Sequence, residues 1–222
     1  MRPCGFARRS LLGGVLFAAS VAISAPDLGA SSERTAHTAR SASPADQLYD
    51  ELALEGVLAR DAFTAAYERL AQTGVEAPAL AIADMRRPST EPRLVIVDLH
   101  RRTVALRTWV AHGAGSGDLF AERFSNTHDS HQTSLGLYRV GARIRSPRHG
   151  PALLLEGLDP GLNDQARVRQ VIIHGADYVS EAFIARTGRL GRSWGCPAVP
   201  RDQMVLVAGA LADGGYLYLY GA

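Results

Sequence analysis

Val171-Ile172-Ile173-His174-Gly175-Ala176, with Cys196 twenty-two positions after the histidine in Gly191-Arg192-Ser193-Trp194-Gly195-Cys196-Pro197-Ala198-Val199-Pro200, is the stretch on which the reading of this chain turns. Three β-branched residues in a row predict a buried strand, and the histidine sits directly after it. The cysteine lies between a glycine and a proline. A free thiol has a pKa of about 8.5 and is mostly protonated at neutral pH, so a nucleophilic cysteine needs an activating partner, commonly an imidazole. Cys196 is thus the candidate nucleophile and His174 the candidate base. Gly195 presents no side chain to an approaching carbonyl, and the N–H groups of Gly195 and Cys196 are candidates to face an oxyanion. Pro197 has no N–H and cannot contribute.

The other cysteine, Cys4, lies in a segment that reads as an export leader. Residues 1–25 carry a basic start (Arg2, Arg8, Arg9) and an apolar run over 11–23, the layout of a secretory signal, with cleavage expected between 22 and 30. That run is shorter than the roughly 17–25 residues of a membrane span. The exported protein would keep Cys196 alone, without an internal disulfide. Such a thiol is a buried small apolar group, a site for pairing with another chain, or a nucleophile. Composition alone puts the buried reading first.

Residues 26–43 are rich in Ser, Ala, Thr and Arg and read as a disordered tether. Ser43-Pro44-Ala45-Asp46 has the form of a helix start, with Leu48, Tyr49 and Leu52 on the inner face. Phe63, Ala66, Tyr67 and Leu70 follow at helical spacing and end near Gly74. These two helices, within 44–77, form an N-terminal extension. From residue 78 to 222 the texture is that of a strand-rich domain. Short apolar runs fall at 79–85, 94–99, 103–110, 135–140, 153–155 and 171–173, with a helix expected over 202–211 and a closing strand over 216–220. The stretch 112–133 has no period and reads as a functional loop.

All 24 basic residues are arginine, and the formal charge is +2, falling to −1 once Arg2, Arg8 and Arg9 are removed. The arginines are spread along the chain rather than gathered into a stripe, which sets nucleic-acid binding aside. His112, His128 and His131 lack a cysteine or close carboxylate cluster that would complete a zinc spacing, so no metal and no cofactor is expected. His112, beside Gly113, is a candidate substrate contact. Asp177 either orients His174 or begins a turn, and the turn is the simpler reading.

The ordered motifs Ile96-Val97-Asp98-Leu99, Val110-Ala111-His112-Gly113, Gly115-Ser116-Gly117, Phe124-Ser125-Asn126, Ser134-Leu135-Gly136, His174-Gly175-Ala176 and Gly191 to Pro197 resemble the L,D-transpeptidase catalytic domain family. The resemblance runs from about residue 79 to 220, in the branch with Ser-Trp-Gly-Cys in place of Ser-His-Gly-Cys. It implies a mostly β fold, a sandwich or barrel with short helices behind a small helical pair. It also implies Cys196 as nucleophile, His174 as base, Ser193, Trp194 and Gly195 as the nucleophile and oxyanion loop, and Ser134 with His112 as substrate contacts. The implied partners are peptidoglycan stem peptides in the periplasm or cell envelope, with an amine of another stem or of an envelope protein as acceptor, and the chain is expected to be a monomer. Trp194 and Ala198 depart from the better-known members, which are polar at both positions. The same site with water as acceptor is a carboxypeptidase. Sortase chemistry and a non-catalytic wall-binding module with a structural Cys196 are the rival readings, whereas papain-like order is excluded because the histidine precedes the cysteine.

Overall fold

The computed structural model describes residues 42–221, so the leader at 1–25 and nearly all of the tether at 26–43 lie outside the described residues. Among those described, the chain forms helices α1 (Pro44–Glu51), α2 (Arg60–Ala71), α3 (Glu181–Thr187) and α4 (Met204–Leu211). The strands are β1 (Ala79–Asp84), β2 (Leu94–Asp98), β3 (Thr103–Thr108), β4 (Gly136–Ser146), β5 (Gly150–Gly157), β6 (Ile172–Ala176), β7 (Ala198–Pro200) and β8 (Tyr216–Tyr220). They make one sheet in the order β3-β2-β1-β8-β4-β5-β6-β7. No described helix is long and apolar enough to cross a membrane.

β1 is buried on both faces, which is why it reads as an unbroken apolar run. Ala79, Ala81 and Ala83 face one core with Ile96, Leu217, Leu219 and the α4 residues Val207 and Leu211, and their small size leaves room for that helix. Leu80 and Ile82 face the other core with Val95, Val97, Tyr216 and the inner faces of α1 and α2. The helical pair therefore closes one side of the sheet. Ser43 starts α1 as expected: its Oγ accepts from the Asp46 N–H at 3.1 Å, and Asp46 accepts in return from the Ser43 N–H. Such a cap stabilises a helix by about 1 kcal/mol.

Several elements depart from the sequence expectation. β4 and β5 run well past 135–140 and 153–155, because beyond the irregularity at Val140/Arg143 the hairpin is largely exposed and held by its backbone ladder. α3 buries no residue and so left no periodic signal. β7 is three residues long. The helix expected over 202–211 is a 3-10 turn at Arg201–Gln203 followed by α4.

β3 and β7 end the strand order, yet the chain leaving β3 joins them. Ala111 bridges Ala198 and Gly113 bridges Ser193, so the sheet is nearly closed. Arg93, completely buried, holds this closing segment. Its Nε and Nη2 donate to Val110 O at 3.1 and 3.0 Å, its Nη1 donates to Arg87 O at 2.7 Å, and Nη2 also donates to His112 Nδ1 at 2.7 Å. Burial pulls this guanidinium down to about 10, still protonated at neutral pH. Replacing it with a methionine of similar reach would leave these acceptors buried and unpartnered. Arg93→Met is expected to cost about 3 kcal/mol or more and to lower the thermal midpoint by roughly 10 °C. Melting followed by circular dichroism checks this, and an unchanged midpoint would remove Arg93 from the closure.

Candidate active site

His174 sits in the middle of β6, paired with Ala152 of β5 on one side and Ala198 of β7 on the other. The β6–β7 pairing is parallel, so counting back two residues from Ala198 brings Cys196 beside Ile172 at the head of β6. The thiol points at Gln170 O, 3.9 Å away, and the Ile172 N–H lies against the sulfur. Burial pushes the Cys196 thiol up, opposed by the Ile172 N–H and the Arg169 guanidinium, so the resting state is the protonated thiol. His174 is buried and pulled down to about 4, chiefly by loss of solvent, which makes it a neutral imidazole. Its Nδ1 lies 3.2 Å from Gly175 O, an acceptor only. That places the ring proton on Nδ1 and leaves the Nε2 lone pair free. The two side chains line one cavity of about 670 Å³, together with His149, Arg169, Tyr178 and Trp194.

The loop that carries the cysteine is stapled by Ser193. Its Oγ donates to Cys196 O at 2.6 Å and accepts from the Gly195 N–H at 3.1 Å, while its own N–H donates to His112 O at 3.0 Å. The Gly195 N–H expected at the oxyanion is therefore taken by Ser193. Among the described residues the Cys196 N–H has no hydrogen-bond partner, and it is the donor left for that task. Gly195 adopts φ +112, where a Cβ would stand 2.7 Å from Gln132 O and 3.0 Å from Arg169 Nη2. From the other side Gly113 packs so closely that its own Cβ would meet Gly195 Cα at 2.8 Å. Both positions need glycine because two backbones touch there.

Neither expected substrate contact, His112 or Ser134, lines this cavity. His112 is 1% exposed and off the cavity wall, with Nδ1 accepting from Arg93 and Nε2 lying 3.3 Å from Gly117 O. Burial and the Arg93 charge take it down to about 4, and both ring nitrogens are engaged in holding the closing segment. Ser134 is also buried: its Oγ meets Tyr138 OH at 2.6 Å and accepts from Arg169 Nη1 at 3.0 Å, so it braces an arginine of the cavity rather than facing the cavity itself. Trp194 lines the cavity with 66% of its surface exposed, stacked on His131 at 4.8 Å with Arg148 over its ring. Asp177 pairs with Arg201, not with His174. Among the described residues no three His, Cys, Asp or Glu side chains gather as metal ligands.

Arg169 and His149 went unread in the sequence. Arg169 comes from the irregular loop before β6; it also donates to Gln132 O, and from Nη1 to Ser125 O at 2.7 Å, which joins positions 44 residues apart. His149 occupies the β4–β5 turn, where Pro147 and Gly150 signal only a turn.

A family model described as L,D-transpeptidase catalytic domain matches residues 55–220. Solved structures also align. An L,D-transpeptidase from Mycobacterium smegmatis is 13% identical with a TM-score of 0.39, over 65% of this chain and 59% of that one. One from Mycobacterium tuberculosis is 12% identical with a TM-score of 0.42, over 65% and 58%. Residues 123–326 of one from Xylanimonas cellulosilytica are 13% identical with a TM-score of 0.39, over 66% and 62%. The chain thus spans about three fifths of the length of these structures. No curated protein matches.

The two buried histidines make stability depend on pH. Both are lowered on folding to about 4 from an unfolded value of about 6.5, so the unfolded chain binds protons first as pH falls. Their contribution is complete above about pH 6.5 and is lost toward about pH 4. Ion-paired carboxylates such as Asp61 and Asp177 are held below their usual range and titrate under that window. Chemical denaturation at about pH 7.5 and about pH 4.5 is expected to differ by a few kcal/mol, on the order of what two buried imidazoles contribute. A flat profile would contradict the neutral assignment.

Proposed function

We propose that this chain, which belongs to the L,D-transpeptidase catalytic domain family, transfers acyl groups between peptidoglycan stem peptides through a thioester on Cys196, with His174 as the base. The observation that carries this reading is the pairing of a protonated thiol and a neutral imidazole with a free Nε2 on the wall of one cavity. The bond from the thiol to Gln170 O is long and weak, so the sulfur turns away from it readily. As Sγ attacks the carbonyl carbon of the donor stem, Nε2 takes the thiol proton and the Cys196 N–H receives the oxyanion. The imidazolium then returns that proton to the departing amine, leaving the thioester. An acceptor amine, deprotonated by His174, resolves it and releases the thiol. Arg148 and Arg169 line the cavity, whose wall includes no carboxylate among the described residues, while the third lining arginine, Arg192, is paired with Asp118, and this suits a peptide rich in carboxyl groups. Wall chemistry of this kind places the mature protein in the periplasm or envelope, consistent with the export leader read at 1–25, and requires no partner subunit.

Incubation with a disaccharide tetrapeptide, read by mass, is expected to give cross-linked or amine-exchanged product. Cys196→Ala should remove it by a factor on the order of 10³ or more while keeping the native circular dichroism spectrum. Product shortened by one residue and not exchanged would make water the acceptor, and activity retained by the variant would end the nucleophile assignment.

A strained β-lactam carbonyl offers the same electrophile. One carbapenem mass is expected on the wild-type chain and none on Cys196→Ala, by intact-protein mass spectrometry. A thiol that alkylates readily but forms no such adduct would move the wall-binding reading ahead.

A further inference from the structure

The β4–β5 hairpin extends past its buried part to carry Pro147, Arg148 and His149 to the mouth of the cavity. The His149 ring lies on the His174 ring, centroids 3.7 Å apart and planes 23° from parallel. The turn fixes it there, with the His149 N–H donating to Ser146 Oγ at 3.3 Å and Gly150 at φ +74. Both imidazoles line the cavity, yet the acyl-transfer chemistry assigns His149 no task. The charges that face the pair are Arg148 from the hairpin and Arg201 from the turn after β7, the latter paired with Asp177, and Tyr178 stands on the same wall.

We propose that His149 is a positioning residue for His174: stacked and neutral it holds the base toward the thiol, and once protonated it stops that base from accepting a proton. The proposal rests on the reading of His174 as the base of Cys196. During attack His174 passes from neutral to cationic. A neutral ring against its face accepts that charge, whereas an imidazolium at the same distance repels it. The fold favours the permissive state, because burial and the charges of Arg148 and Arg201 pull His149 below its ordinary value. The stack also joins the base to the tip of an exposed hairpin, so the seating of that hairpin and the readiness of the thiol are one event.

The test needs no peptide substrate. Rates of Cys196 alkylation by iodoacetamide are measured from about pH 5 to about pH 8, the range in which histidines titrate, on the full chain and on His149→Ala, His149→Phe and His174→Gln. Loss of the stack in His149→Ala is expected to slow alkylation near neutral pH about three- to tenfold, the scale of an aromatic pair. His149→Phe keeps a ring without a titrating nitrogen. It should recover most of that loss, and the ratio of the wild-type rate to its rate should fall as the pH drops through the titration of His149. Wild type and His149→Phe with superimposable profiles overturn the proposal, and this comparison holds even where His149→Ala fails to fold. If His174→Gln slows alkylation while both His149 variants match wild type, the proposal fails and the base assignment stands. If His174→Gln leaves the rate unchanged, the base assignment itself fails and the proposal goes with it.

Discussion

A buried arginine that donates to backbone carbonyls in place of a carboxylate is the constraint on which this structure rests. Arg93 gathers the carbonyls of Arg87 and Val110 and the imidazole of His112 around one guanidinium. Those contacts fix the segment that leaves β3, and that segment does the rest. It bridges β7 at Ala198 and the cysteine loop at Ser193, and it presses Gly113 against Gly195. Without a fixed segment after β3, the two ends of the sheet have no common partner and the cysteine loop loses its floor. An ion pair could have filled the same space, but carbonyl oxygens on separate segments let one planar cation set several backbones at once.

His112 and His174 show how the same physical shift serves different ends. Both are buried and both are driven down to about 4, so both are neutral at physiological pH. What separates them is the bookkeeping of their ring nitrogens. His112 has a donor on Nδ1 and an acceptor opposite Nε2, and is saturated. His174 spends only Nδ1, on Gly175 O. A free lone pair on a cavity wall is what separates His174 from a saturated strut, and burial alone does not supply it. Ser193 makes the companion point in the cysteine loop: by accepting the Gly195 N–H and donating to Cys196 O it gives the turn its shape and takes up one of the loop's backbone donors.

Much of the architecture was legible because strands and helices write their burial into local periodicity. The double-faced β1, the leucine and tyrosine alternation of β8, the Ser43 cap and the inner face of α1 are statements about residues two to four positions apart. The elements that escaped notice, α3 and the outer β4–β5 hairpin, bury little and therefore leave no stripe.

The site divides along the same line. Taken by itself, the order of residues determined a histidine directly after a buried-looking strand, a cysteine between glycine and proline twenty-two positions later, and the family to which such ordered motifs point. Only the tertiary structure decided which histidine faces the cavity beside His174, that His112 and Ser134 are braces behind it, and that Arg93 and Arg169 tie the loops in place. Each of those outcomes depends on groups meeting across separations of 19 to 35 residues or more. Such meetings follow from sheet register and loop closure, which no period of two or 3.6 records.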